Sequence, residues 1–404
     1  MKFSDNAMSA ILLCSYIGIN KDDIIKPFSL GEWNQFLDKV IEMKLEPSVV
    51  LSNDFAILSE LKYNSNEIER IKKLVTRGGA VAFEIDDLSN KGIEVITLFD
   101  TDYPVLLKRK LKRKTPPILY YAGDINLAKK IGIAVVGSRD VNQAGMEFTR
   151  KLVARASEER LVVYSGGAKG VDSISEITAI ENGSAVVSFI ADSLIAKIKK
   201  KEVLKNISQQ KLLLISDVKP EAGFSAARAM NRNKYIYAAA YGAFVVSSDY
   251  NKGGTWAGAI ENIKNDWTKE FVWNHKEYNG NLKLIEKGAN PYELSDEKIY
   301  DSITKKESNY NQLNIFNLRT AVNEDPQEYK LIENQDMINS KDIYEVVKDY
   351  IVENLGDGLS LDQASHQFEI AKGQMKVWMK RLCDDEKIIL GNGIYLKREG
   401  LKND

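Results

Sequence analysis

Apolar positions along this chain change their period twice. Over residues 1 to about 88 they recur at three- and four-residue spacing. Trp33, Phe36, Leu37, Val40 and Ile41 form one helical face, and Ser29 stands where a helix N-cap is needed. A second periodic stretch, Asn66 to Val75, runs into Gly78-Gly79, which reads as a helix stop. The spacing predicts a small helical domain over 1–88 with no catalytic grouping in it.

From about residue 89 short β-rich runs alternate with longer helical stretches. Strands are expected at Ile131–Val136, Arg160–Tyr164, Ser184–Ile190, Lys211–Ser216, Phe244–Ser247 and Phe271–Trp273. Helices are expected at Ala144–Glu158, Val171–Asn182, Leu194–Ser208, Ala226–Tyr241 and Thr255–Asn265. Continuously apolar strands separated by helices indicate an α/β domain, over 89–300, with a parallel sheet covered on both faces. Its ligand site belongs beyond the C-terminal ends of the strands.

The period lapses over residues 301–338, which are polar and acidic and read as a linker. Three helices follow, at Lys341–Glu353, Ser360–Phe368 and Lys372–Asp385. Two short apolar runs then flank Gly391-Asn392-Gly393. Helices closed by a glycine-tipped hairpin predict a winged-helix domain over 339–404. Its recognition-helix candidate holds Lys376, Lys380 and Arg381, with Asp384-Asp385-Glu386 directly behind, a mixture that suits protein contact as well as duplex DNA.

The 404 residues exceed what one hydrophobic core usually serves, consistent with several domains. With 2 cysteines and 2 histidines, a disulfide framework and a Cys/His zinc site are both excluded, and neither a metal nor a cofactor is expected. The uncharged runs Ala7–Asn20 and Tyr235–Ser248 fall short of the roughly 20 residues a membrane span needs. The first has no cleavage site behind it, so it reads as a helix of a globular domain rather than a signal peptide. Cytoplasm and no membrane partner are the expectation. Net charge is −1, but residues 101–270 hold 27 lysines and arginines against 17 acidic residues. A basic middle between acidic ends predicts a local anion-binding surface.

Three glycine-rich segments fall where such a sheet places its site. Gly137-Ser138-Arg139 follows a strand, with a hydroxyl and a guanidinium that suit a phosphate, though the tripeptide alone also suits an ordinary turn. Ser165-Gly166-Gly167-Ala168-Lys169-Gly170 follows the next strand. Its glycines would let backbone approach a ligand and Lys169 adds charge, while Asp172 suits a helix cap better than catalysis. The third group is Arg232-Asn233-Lys234 with Gly253-Gly254-Thr255. The run Lys108–Lys114, basic except at Leu111, and the lysines between 197 and 205 enlarge the positive surface beyond what a mononucleotide needs. Phe224, Tyr235 and Tyr237 are candidate base-stacking rings.

These residues together, from Gly92 to Pro291, resemble the DNA-processing protein A (DprA, or Smf) family. The likeness runs through Asp102-Tyr103-Pro104, Val136-Gly137-Ser138-Arg139, the SGGAKGVD segment, Arg232-Asn233-Lys234, Gly253-Gly254-Thr255 and Gly288-Ala289-Asn290. The resemblance implies an extended Rossmann-like domain between a helical, SAM-like N-terminal domain and a winged helix. It implies a homodimer that binds single-stranded DNA and hands it to a RecA-type recombinase in recombination and natural transformation, rather than an enzyme. By the same likeness Ser138, Arg139, Ser165, Gly166, Gly167 and Lys169 line the phosphate pocket, with Arg232, Asn233 and Lys234 beside it. This sequence departs from the family at Ala229-Met230-Asn231, where an aromatic-proline pair is usual, and at Lys234, where an arginine is. The alternative is a nucleotide-binding or phosphoribohydrolase-like (lysine-decarboxylase-like) enzyme, with Glu261 behind Gly253-Gly254-Thr255 at a spacing longer than that loop requires.

Overall fold

The computed structural model describes residues 3–20, 25–52, 55–304, 348, 351–352, 355, 358–368, 372–385, 387–391 and 393–397. The chain divides into two compact units, Met1–Glu307 and Ser308–Asp404.

The first unit opens with helices α1 (Asp5–Cys14), α2 (Leu30–Glu42), α3 (Ala56–Glu60), α4 (Ser65–Val75) and α5 (Gly78–Asn90). Ser29 caps α2 as its position predicts. Its hydroxyl accepts from the Glu32 N–H while the Glu32 carboxylate accepts from the Ser29 N–H. Trp33, Phe36 and Val40 are buried, but Ile41, expected on the same face, is 63% exposed. Gly78-Gly79 does not end a helix; it begins α5. The cost of glycine in a helix is about 1 kcal/mol per residue, and two features oppose it. Val81 and Leu88 of α5 are buried in the main core. Arg77, just ahead of the helix, donates to carbonyls of Leu12, Ser15 and Ile17 at the end of α1.

The sheet then forms from β1 (Glu94–Thr97), β2 (Ile118–Ala122), β3 (Gly132–Gly137), β4 (Val162–Ser165), β5 (Val186–Phe189), β6 (Leu212–Ser216), β7 (Gly242–Ser247), β8 (Lys269–Trp273) and β9 (Asn290–Tyr292). Their order is β1-β2-β6-β5-β4-β3-β7-β8-β9. From β6 to β9 every pairing is parallel, with β3 in the middle, and β1 and β2 add an antiparallel pair on the β6 side. Alternation along β3 shows why it sits centrally. Ile133 and Val135 join the core on one face, Ala134 and Val136 the core on the other.

Helices α7 (Gln143–Glu158) and α8 (Val171–Glu181) pack on the first face. Helices α6 (Val105–Leu111), α11 (Ala226–Ala239) and α12 (Gly253–Asn265) cover the second. The helix expected over Leu194–Ser208 is two, α9 (Leu194–Ile198) and α10 (Lys201–Ser208), with Lys200 extended between them. Lysines at 197, 199, 200 and 201 place like charges within one turn, which disfavours an unbroken helix. Helix α13 is Asn279–Glu286. Residues 301–304, read from sequence as the start of a linker, complete α14 (Ile299–Thr304), whose Ile299 and Ile303 are buried. The remainder of that stretch lies outside the described residues.

In the second unit, helices Leu361–Gln367 and Lys372–Asp384 are followed by the antiparallel hairpin β11 (Ile388–Gly391) and β12 (Ile394–Lys397). A short strand β10 (Leu359–Ser360) pairs with β12. Ile351, Leu355, Met375, Trp378, Met379 and Leu382 are buried among them. The helix expected over Lys341–Glu353 falls largely outside the described residues. No helix among the described residues is long and apolar enough to cross a membrane.

Candidate functional site

Strands β4, β5 and β6 follow β3 to one side, and the chain then crosses back to lay β7 on its other side. A crevice opens beyond the strand ends at such a reversal. The segments after β4, β3 and β7 are the three glycine-rich ones, and they touch. The Ser138 N–H donates to the carbonyl (3.1 Å) and hydroxyl (2.9 Å) oxygens of Ser247, at the end of β7. The Val171 N–H donates to the Ser138 carbonyl at 3.3 Å, joining the β3 and β4 loops. Gly170, at φ +78°, presses so closely that a Cβ there would stand 2.3 Å from the Ser138 carbonyl oxygen.

Helix α11 ties the outer ends of the group together. Asn233 donates through Nδ2 to the Gly254 carbonyl at 3.1 Å, at the start of α12. Arg232 is buried, and its Nη1 donates to the carbonyls of Gly166 and Phe189. A Cβ on Gly166 would fall 1.9 Å from that nitrogen. The glycines therefore make room for protein: Gly166 admits a guanidinium, and Gly170 the backbone of the β3 loop.

Carboxylates underlie the β4 loop. Glu176 accepts from the Gly167 N–H (2.9 Å) and the Ser188 hydroxyl (2.7 Å), and Asp172 accepts from the Ala168 N–H (3.3 Å). Burial pushes Glu176 up to about 7, against the pull of Ser188. Burial also raises Asp172, opposed by Arg232. It lowers Arg232, opposed by the same two acids. The Nε of Arg232 and the hydroxyl of Ser165 are buried with no hydrogen-bond partner among the described residues. Asp172 lies in the first turn of α8 but does not cap it. Gly170 holds the N-cap position with no side-chain cap, and Asp172 instead bonds the Ala168 amide of the preceding loop, because burial beside Arg232 turns its carboxylate back towards that loop. Glu176 was not foreseen; its place one turn after Asp172 on the same helical face was the available signal.

The loop amides of Ser138, Gly167, Ala168 and Val171 are thus spent on protein acceptors. What faces solvent is charge on side chains: the cations Arg139, Lys169 and Lys252 are all exposed, as are the carboxylates Asp140 and Asp249 on the β3 and β7 loops. Helix α12 starts at Gly253 (φ +80°) with no side-chain cap, leaving its first amides, including those of Gly254 and Thr255, at the same edge. Phe224 is 60% exposed, and the Arg139 guanidinium carbon lies 5.7 Å from its ring centre. Tyr235 and Tyr237, the other candidate rings, are buried in the core. Lys234 is buried on the opposite side of α11 from these loops' contacts, with Nζ 2.7 Å from Asn231 Oδ1.

The basic run does not share this edge. Lys110 bonds the Ala240 carbonyl and the Thr268 hydroxyl, just ahead of β7 and β8, and burial pushes it down to about 7. Arg113 makes a two-pronged pair with Asp38 at 2.7 Å, and Lys114 lies 3.6 Å from Glu261. Ala240 and Thr268 stand at the N-terminal ends of β7 and β8, so a sheet's height separates the run from the loops, about 20 Å for a six-residue strand. Glu261, the acid of the alternative reading, stands at that far end too.

The model of the DNA recombination-mediator protein A family matches residues 94–304, more than half of the chain. The protein belongs to this family. Among its relatives, the DNA processing protein DprA of Streptococcus pneumoniae is 29% identical over 181 residues, 44% of this chain and 59% of that protein. DprA of Bacillus subtilis is 25% identical over 254 residues, 61% of this chain and 82% of its own length. The X-ray structure of the pneumococcal DprA overlays with a TM-score of 0.53 at 21% identity, across 72% of this chain and 95% of that one, so the fold is shared. The family expected from the sequence motifs is borne out, as is an α/β architecture with a helical N-terminal segment.

Proposed function

We propose that the edge built from the β3, β4 and β7 loops binds the sugar-phosphate backbone of single-stranded DNA, and that the protein presents this DNA to a RecA-type recombinase. One observation carries the reading. Three loops and the start of α12 meet at the reversal point of the sheet, and three exposed cations, Arg139, Lys169 and Lys252, emerge there against two exposed carboxylates, Asp140 and Asp249. Membership of a recombination-mediator family supports nucleic acid as the anion. Phe224 beside Arg139 supplies a ring for an unstacked base, which a single strand offers and a duplex does not.

In this reading the residues divide by task. Arg139, Lys169, Lys252 and the Gly253-Gly254-Thr255 amides meet phosphates. Gly137, Ser138, Ser165, Gly166, Gly167, Arg232 and Asn233 hold the loops in place. The proposed organisation is a helical domain, the Rossmann-like domain, a linker and a winged helix, in a cytoplasmic homodimer that performs no chemistry of its own. The test is a titration with single- and double-stranded oligonucleotides of several lengths at two salt concentrations. Arg139→Ala/Lys169→Ala should weaken single-strand binding at least tenfold and lower the salt slope by about 0.7 per lost phosphate contact. Wild-type affinity and slope in that variant would sink the proposal.

A further inference from the structure

Helix α11 has a second side, and a cavity lies against it. Its volume is about 490 Å³, within the range of small-molecule sites. The N-terminal helices supply one wall, with Tyr16 and Phe28. The other comes from α11 and the segment after β6. A larger hollow of about 800 Å³ among the N-terminal helices shares Cys14, Tyr16 and Phe28 with it. From these features we infer that the cavity is a nucleotide-binding site, with the base on Tyr16 and the phosphate among Lys219, Arg228 and Lys234.

The charge inside is one-sided. Lys219, Arg228 and Lys234 line the cavity with one carboxylate, Asp217. That carboxylate is already engaged, accepting from the Tyr235 hydroxyl (2.7 Å) and Asn231 Nδ2 (3.1 Å). Lys234 has the ring of Tyr235 at 5.1 Å; burial lowers its pKa, and the Asp217 and Glu261 carboxylates act on it only from beyond ion-pair range. A buried cation with no carboxylate in direct contact favours an anionic ligand.

The opposite wall carries an aromatic ring. Tyr16 is 51% exposed although it borders a cavity, and the Lys219 ammonium lies 6.0 Å from its ring centre. An open aromatic face beside cations is how proteins hold a base and its phosphate together. The cavity also adjoins the loop edge. Arg228 donates to the Gly223 carbonyl at 2.6 Å, and the next residue, Phe224, carries the Arg139 contact. Two sources supply the same chemistry, a unit of a strand running over from the loops or a free mononucleotide. The strand source rests on the proposed function; the free nucleotide does not.

Fluorescent mant-AMP and a fluorescent oligothymidine, titrated into the full-length protein, separate the cases. Tyr16→Ala should weaken one of these ligands about tenfold or more, the range measured for a lost stacking partner, and Lys234→Met, which removes a cation from the phosphate, should weaken the same ligand. Tyr16→Phe should restore binding. Loss confined to the oligonucleotide assigns the cavity to the strand, and loss of mant-AMP, unaffected by Arg139→Ala/Lys169→Ala, assigns it to free nucleotide. Unchanged affinity for both ligands in variants that melt at the wild-type temperature overturns the inference. That result leaves the loop edge untouched, because only the Arg139→Ala/Lys169→Ala variant tests it.

Discussion

The contact between Gly166 and Arg232 makes a quantitative prediction. A methyl group on Gly166 would sit 1.9 Å from Arg232 Nη1, 2.5 Å from its Cζ and 2.7 Å from an Asp172 oxygen, so Gly166→Ala must displace the guanidinium. Displacement forfeits the bonds to the Gly166 and Phe189 carbonyls. Hydrogen bonds to charged groups are worth about 1.5–3 kcal/mol each, so the loss is about 3 kcal/mol or more. Arg232→Ala forfeits the same bonds directly and should cost a similar amount. In the double variant the new methyl enters space the guanidinium has left. The two substitutions together should then cost little more than either alone, a coupling of up to about 3 kcal/mol. Melting followed by circular dichroism reads this as a fall of about 6–12 °C for each single variant, with little further fall for the double. Strictly additive falls would show that Gly166 is not kept small for Arg232, and the account of the loop would be wrong.

Glu176, at about 7, binds a proton in the folded protein that it loses at lower pH when unfolded, so its contribution to stability declines as pH rises from about 4.5 through 7. The melting temperature of Glu176→Gln should therefore gain on the wild type between pH 5 and pH 8, and a constant difference across that range would refute the assignment. Arg109→Ala/Lys112→Ala removes two exposed charges from the basic run, at the strand ends remote from the loops. Single-strand affinity in that variant should stay within about twofold of wild type at 0.15 M salt, where screening acts within about 8 Å. A tenfold loss would place DNA on the other end of the sheet.

The central strands were legible because each is buried on two faces and so reads as an unbroken apolar run, as in Ile131–Val136. Strands β1 and β2 do not show in the strand–helix alternation, because they pair antiparallel at the sheet's margin with no βαβ crossover to mark them. The Gly78-Gly79 pair misled because local propensity was outweighed by burial of Val81 and Leu88, which no local pattern displays. At the site, the motifs were visible and their convergence followed from the strand order. The task of Arg232 was not visible. Arginine is almost never fully buried, and nothing in a one-dimensional reading shows that Gly166, 66 positions away, leaves a space of guanidinium size. The basic run shows the reverse error, since proximity in sequence to the sheet said nothing about which end of it the charges would occupy.

The margins of the sheet restrict how two copies of this chain could join. On one flank the outermost strand, β9, consists of Asn290, Pro291 and Tyr292, and its proline has no N–H to offer. On the other flank β1 has three of its four residues buried and packs against α5. Among the described residues neither border presents a row of open backbone groups. The proposed dimer should then meet through side chains, its two sheets remaining separate rather than fusing into one.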